Sequence, residues 1–396
     1  MTSPPVINYK DAFRYADFDK VDLLQLLLDS GADIDIRNVP GNTLLIEAVR
    51  SRNTKTVRML LDRGANVNIA GSFHRTALWF AVKHEHLPIA HMLLNHGADP
   101  NIRDNSGTTP FYNAILCGNT QILGLLLDHG ADVNISDHKG GNPLLTTTLR
   151  MCDATVLLLL DRGANVNIRD EDGNTPLTNA VSWGTESTVR LLLDRGADVN
   201  MLGHRGRTPV SKAAFWGCNS KVLLLLDRGA NVNIQDEDGI TPLLAAVRWE
   251  RQSGMIMTAT VRLLLDHGAE VNIRDHDGRT PLWSAAKCGH TDIVRMLLER
   301  GADPSIRNND GVFPLEIAAL SHHLDVVRLL SPEYSVGPLG RLAFAMGLHR
   351  RLGSDSAAHL LPDELLNRIM EHCRWQHTDG DVEQLAEAVR RYYLDG

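Results

Sequence analysis

The chain has 396 residues, a formal net charge of −8 at pH 7 and a sequence isoelectric point near 6.1. This acidic balance argues against a protein that holds a nucleic-acid backbone on a basic face. No run approaches the 18 apolar residues of a membrane span, and the amino terminus lacks a basic and apolar signal segment, so we expect a cytoplasmic protein, with the nucleus as the alternative.

The cysteine content points to a reducing compartment. The chain has an odd number of cysteines and no CxxC pair, which disfavours both a disulfide framework and a structural zinc site. The five residues are Cys117, Cys152, Cys218, Cys288 and Cys373.

A short element precedes the repetitive part of the chain. Within residues 1–37, the segment from Asp11 to Asp29 is predicted to form a pair of helices that caps the amino end.

The triplet Gly-Ala-(Asp/Asn/Glu) then marks an internal repeat. Seven of its eight intervals are 33 residues and the eighth is 39. A fixed period of this size indicates stacked units, which offer an extended binding surface rather than a closed pocket. The triplets begin at Gly31, Gly64, Gly97, Gly130, Gly163, Gly196, Gly229, Gly268 and Gly301.

One unit, Asp170 to Leu202, illustrates the local chemistry. A polar turn leads to Thr175-Pro176, where Thr can cap a helix and Pro fits its first turn. This first helix is predicted to run to Trp183 and to end at Gly184. A second helix with apolar residues at helical spacing follows and ends at Gly196.

These units resemble the ankyrin repeat, which implies an all-α solenoid of stacked helix pairs with projecting β-turn fingers. The resemblance covers residues 38–330 as nine repeats. Six extra residues near 250–260 are expected in a loop between two helices. The histidine that the family carries after Thr-Pro-Leu is absent, and Trp79 and Trp283 take that position in two repeats.

Three tryptophans 33 residues apart share another repeat position, which in the proteins this sequence resembles faces the concave, partner-binding surface. They are Trp183, Trp216 and Trp249, with Phe215 beside the second and Arg248 beside the third. We predict a binding column for a protein partner, because Trp and Arg dominate interface hot spots. The alternative is that the indoles pack on each other and stiffen the array.

The turn fingers near these tryptophans alternate in charge, which suits a protein surface better than a polyanion. Arg205 and Arg207 lie between the acidic pairs of Glu171 with Asp172 and Glu237 with Asp238. No HExxH motif, phosphate-binding loop or GxSxG motif accompanies them, so we expect no metal, no cofactor and no enzyme activity.

After Leu330 the period stops, and residues 331–396 are predicted to form a small helical module. From Leu361, the run LPDELLNRIM resembles the F-box, which links substrate receptors to a cullin ubiquitin ligase through a Skp-type adaptor. That resemblance implies an adaptor contact formed by Leu361, Pro362, Leu365, Leu366 and Ile369.

Two alternatives for this tail stay open. Residues 338–353, PLGRLAFAMGLHRRLG, resemble the first helix of the SOCS box, which uses elongin adaptors. The tail could instead only cap the last repeat. We therefore expect a monomeric protein-binding scaffold that recruits a substrate to a cullin-type ligase, or else a scaffold or sequestering protein without that link.

Overall fold

The computed structural model describes residues 9–17, 20–136, 141–248 and 254–330. All regular structure in these ranges is helical apart from one isolated β-bridge between Arg37 and Thr43. The all-α prediction is thus confirmed for the described residues. The carboxyl-terminal module, 331–396, lies outside them.

The chain divides into two compact units, with the boundary between His204 and Arg205. The first unit contains twelve of the described α-helices. They are α1 (Tyr9–Asp17), α2 (Val21–Asp29), α3 (Leu44–Arg50), α4 (Thr54–Asp62), α5 (Ala77–Lys83), α6 (Leu87–Asn95), α7 (Pro110–Cys117), α8 (Thr120–Asp128), α9 (Pro143–Leu149), α10 (Asp153–Asp161), α11 (Pro176–Trp183) and α12 (Glu186–Asp194).

The second unit continues the same pattern. Its described helices are α13 (Pro209–Phe215), α14 (Asn219–Asp227), α15 (Pro242–Val247), α16 (Gly254–Asp266), α17 (Pro281–Cys288), α18 (Thr291–Glu299), α19 (Pro314–Leu320) and α20 (Leu324–Leu330). Within each unit, each odd-numbered first helix packs on the next first helix, and each even-numbered second helix packs on the next second helix.

The first helices begin as the sequence predicts. In α7, the Thr109 hydroxyl accepts the Tyr112 amide at 3.1 Å, and Pro110 occupies the first turn. Thr175 caps α11 in the same way through the Thr178 amide, also at 3.1 Å. The cap satisfies an amide group that the helix itself leaves unpaired, so the start of each helix is set locally.

Asparagine side chains join successive repeats. The side-chain oxygen Oδ1 of Asn101 accepts a hydrogen bond from the Asp132 backbone amide at 2.9 Å. The side-chain nitrogen Nδ2 of Asn101 donates to the Gly130 backbone carbonyl at 3.0 Å. Asn68 makes the same pair of bonds to Asp99 and Gly97. Each side chain therefore pairs backbone groups at the end of a second helix one repeat further on.

Buried aspartates organise the fingers between repeats. One Asp104 carboxylate oxygen accepts the amides of Ser106 at 2.9 Å and Thr108 at 3.0 Å, which closes the turn. The Asn105 amide then donates to the Phe73 carbonyl of the preceding finger at 2.9 Å. Neighbouring fingers are therefore connected through their backbones, within the first unit.

The expected loop around the extra residues is partly helical. Helix α16 has 13 residues, whereas the preceding second helices have nine. The segment 254–257 thus lengthens the helix despite the low helix propensity of Gly254, and Met257 in it is buried. Residues 249–253 lie outside the described part of the chain.

Candidate functional site

Trp183 is the last residue of α11, and its side chain remains 56% exposed. The helix ends at Gly184 as predicted, although that glycine has an extended conformation (φ −80°, ψ −177°) rather than a left-handed one. A Cβ on Gly184 would lie 2.9 Å from the Ala180 Cα atom, so only glycine fits this ending. The local backbone therefore holds a large indole at the surface of the first unit.

Trp216 lies just after α13 in the second unit and is 42% exposed. Its ring meets the Phe215 ring edge to face, with 5.2 Å between centroids. The Arg207 guanidinium lies 5.8 Å from the Phe215 centroid and forms an ion pair with Asp236 at 3.2 Å. Three of the residues predicted for the binding site are thus adjacent: Arg207, Phe215 and Trp216.

The remaining predicted site residues do not join this cluster. Arg248 forms an ion pair with the buried carboxylate of Asp275 at 3.5 Å, and Arg279 pairs with the same carboxylate at 2.9 Å. The charge of Arg248 is therefore partly neutralised within the protein. Arg205 has a left-handed backbone (φ 58°), and its carbonyl accepts the Glu237 amide at 3.1 Å. Trp249 lies outside the described residues. Because Trp183 and Trp216 belong to different units, the column of three indoles stays a prediction.

Sequence reasoning missed other exposed residues at the ends of first helices in the first unit. Numbering each repeat from its capping residue would have found them, because they recur seven to nine positions after Thr43, Thr76, Thr109 and Asn142. They are Arg50, Arg52, Lys83, Leu116, Leu149 and Met151.

A second missed group lies on a finger of the first unit. The Arg75 guanidinium lies 3.9 Å from the Trp79 centroid and 5.2 Å from the Phe73 centroid. Arg75 also pairs with Asp104 at 3.4 Å. Burial alone would raise the pKa of Asp104, but hydrogen bonds from Ser106, Thr108 and Arg75 together lower it. The finger carries an ionised carboxylate that holds the arginine over the aromatic rings.

His84 and His86 lie near the exposed cations Arg50, Arg52 and Lys83 of the first unit. Burial is the main cause that lowers the pKa of His84, and Arg52, Arg50 and Lys83 lower it further. Burial is also the main cause that lowers the pKa of His86, followed by Arg52 and then His84. Both imidazoles are therefore neutral at neutral pH, and neither brings additional charge to the surface.

Two further findings concern metal sites and membrane spans among the described residues. Among them, no group of three or more His, Cys, Asp or Glu side chains is placed to hold a metal ion. No helix in these ranges is long and apolar enough to cross a membrane. The predicted adaptor contact formed by Leu361, Pro362, Leu365, Leu366 and Ile369 lies outside the described part of the chain.

Comparison with known proteins agrees with this architecture. A family model described as ankyrin repeats (3 copies) matches overlapping segments, namely residues 13–104, 72–137, 96–170, 147–236, 222–308 and 254–338. An ankyrin repeat domain from Acinetobacter baumannii AYE, known from a crystal structure, is 31% identical; the match covers 48% of this chain and 100% of that one, with a TM-score of 0.46. No curated protein matches the chain.

Proposed function

Since this chain belongs to the ankyrin repeat family, whose members are protein-binding scaffolds, we propose that it binds its partner through the exposed ends of its first helices and delivers that partner to a cullin-type ubiquitin ligase. The scaffold itself is non-catalytic in this proposal. It acts as a monomer in the cytoplasm or nucleus.

One observation supports the choice of surface above all others. Trp183 and Trp216 stay 56% and 42% exposed, although tryptophan is a side chain that folding normally covers. Covering the remaining area of one such ring releases roughly 2–3 kcal/mol at about 25 cal/mol per Å², before the cost of association. Each indole can therefore act as a binding hot spot within its own unit, and Phe215 and Arg207 add contacts beside Trp216.

The proposed link to a ligase rests on the tail. The LPDELLNRIM run would place Leu361, Pro362, Leu365, Leu366 and Ile369 against a Skp-type adaptor. Residues 338–353 would instead favour elongins B and C. In both cases the bound protein is ubiquitinated by another subunit, so the chain needs no catalytic residue of its own.

Co-purification of the full chain tests the ligase proposal. The wild-type chain and a Leu365→Asp, Ile369→Asp double variant are each mixed with a Skp-type adaptor or with elongins B and C. Stable binding of one adaptor, lost in the variant, supports a ligase receptor and selects between the two modules. If the folded chain binds neither adaptor, the ligase proposal is wrong, and the tail only caps a scaffold.

A further inference from the structure

A row of side chains crosses the first unit at the ends of its first helices. We call it the first-helix row and define it as Arg50, Arg52, Lys83, Leu116, Leu149, Met151 and Trp183. These residues lie within two positions of the ends of α3, α5, α7, α9 and α11, and each of these helices packs on the next. The row is therefore continuous, and all of it lies within one compact unit.

The half of the row nearer the amino terminus is cationic. The Arg50 guanidinium lies 5.5 Å from the Phe80 centroid, and the Phe80 ring stacks on His84 at 6.4 Å. Arg50, Arg52 and Lys83 all lower the pKa of His84, so the three cations lie around the same imidazole. Two carboxylates are also near: Glu47 pairs with Arg50 at 3.1 Å, and Glu85 accepts a bond from Asn119 at 3.2 Å.

The other half of the row is apolar. Leu116, Leu149, Met151 and Trp183 are 39%, 48%, 55% and 56% exposed. Arg150 lies among them, but its guanidinium donates to the Leu116 carbonyl at 2.6 Å, which directs that charge to the backbone. Large apolar side chains left exposed in a continuous group mark an interaction surface more often than a solvated one.

The backbone supplies independent support. In α3, α5, α7 and α9, the residue nine positions after the capping residue has a positive φ: 61° at Arg52, 57° at both Glu85 and Met151, and 75° at Gly118. This conformation is nearly free for glycine and strained for other residues. Arg52, Glu85 and Met151 thus place large side chains where glycine would fit better, and backbone strain of this kind is often found at functional sites.

We propose that the first-helix row binds an extended segment of a partner protein that carries acidic residues at one end and large apolar residues at the other. The acidic end would contact Arg50, Arg52 and Lys83, and the apolar end would lie on Leu149, Met151 and Trp183. Helices pack roughly 8–10 Å apart, so four steps span about 32–40 Å, the length of about 10–12 extended residues. This inference rests on the proposed protein-binding function and specifies its partner.

A random 16-residue peptide library displayed on phage, selected on the full chain, tests this inference. We expect enriched peptides with acidic residues at one end and aliphatic or aromatic residues at the other. Synthetic copies, measured by fluorescence anisotropy, should bind at least tenfold more weakly to Arg52→Glu, Lys83→Glu and to Leu149→Ser, Met151→Ser. Matched double variants on the second helices, Lys55→Glu, Arg58→Glu and Leu26→Ser, Leu157→Ser, should bind like the wild type.

A second measurement separates binding from folding. Arg52→Gly and Met151→Gly relieve the left-handed strain, so each should raise the midpoint of thermal unfolding while it weakens peptide binding. A purely structural role for these side chains would not lower affinity and raise stability together. Unchanged affinity in both glycine variants would show that the Arg52 and Met151 side chains do not contact the peptide.

Other outcomes distinguish this inference from the proposed function. Enriched peptides without the acidic and apolar pattern, or peptides that bind every row variant equally, would overturn the inference and leave a protein-binding scaffold. No enrichment at all would also overturn it. The broader function is judged separately, by the adaptor experiment and by the Trp183 and Trp216 variants with partner proteins.

Discussion

The indole nitrogen of Trp283 donates a hydrogen bond to the backbone carbonyl of Val312 at 3.1 Å, on the finger of the following repeat. Trp79 occupies the same repeat position and is equally buried, at 7% exposure against 6%. Its nitrogen nevertheless reaches no acceptor among the described residues. Trp283 thus joins two repeats by a polar contact, whereas Trp79 is held by packing and by the Arg75 guanidinium.

This difference predicts unequal effects of the same substitution. Trp283→Phe should lower the free energy of unfolding by about 1–2 kcal/mol more than Trp79→Phe, because only the first change removes a hydrogen bond. Both changes remove a similar part of a buried ring, so Trp79→Phe is the matched control. Urea denaturation followed by circular dichroism measures both. Equal losses would contradict a role for the Val312 contact.

The asparagine bridge predicts a second stability effect. Asn101→Ala removes one acceptor and one donor at a junction between repeats, so we expect a loss of about 1–2 kcal/mol. Asn101→Asp keeps the acceptor for the Asp132 amide and should lose less than alanine does. Chemical denaturation of both variants checks the order. An alanine variant that is at least as stable as the wild type would show that the bridge contributes nothing to stability.

The histidines predict a pH dependence of stability. The pKa values of His84 and His86 are lowered from 6.5 in the folded chain, so the unfolded chain binds protons first as the pH falls. The free energy of unfolding should therefore decrease as the pH is lowered through about 6.5, and be fully retained above it. Urea denaturation at pH 7.5 and 5.5 measures the decrease, which a His84→Gln, His86→Gln variant should show less strongly. An equal decrease in that variant would assign the effect to other groups.

The exposed tryptophans predict a separation of binding from stability. Trp183→Ala and Trp216→Ala should each lower the free energy of unfolding by about 1–2 kcal/mol, less than the roughly 3–5 kcal/mol of a fully buried tryptophan, because much of each ring is already in water. Each should weaken the binding of a partner protein by about 2 kcal/mol or more if the ring is a hot spot. Calorimetric titration with a captured partner measures the second effect, with Leu157→Ala and Leu223→Ala as controls at other exposed positions. Full affinity in both tryptophan variants would rule out this surface.

Much of the repeat could be predicted because its signals are local. Thr175 caps a helix through an amide three residues away, and Pro176 fits the first turn wherever such a helix forms. The closing glycines need a positive φ, as at Gly196 with 85°, and that requirement also lies within one turn. The loop expected around 250–260 was partly wrong because α16 extends into it, where Met257 finds a buried position.

The sequence by itself determined the period, the helix pairs and the capping residues, because each depends on contacts within a few residues of chain. Only the tertiary structure decided how far each large side chain is exposed, which indole gains a hydrogen-bond acceptor and which backbone positions are left-handed. It leaves Trp183 exposed after an extended Gly184, gives Trp283 but not Trp79 an acceptor, and places Arg52 and Met151 in left-handed conformations on one face. These outcomes depend on the packing of neighbouring repeats, which contribute carbonyls, charges and steric limits from about one period away.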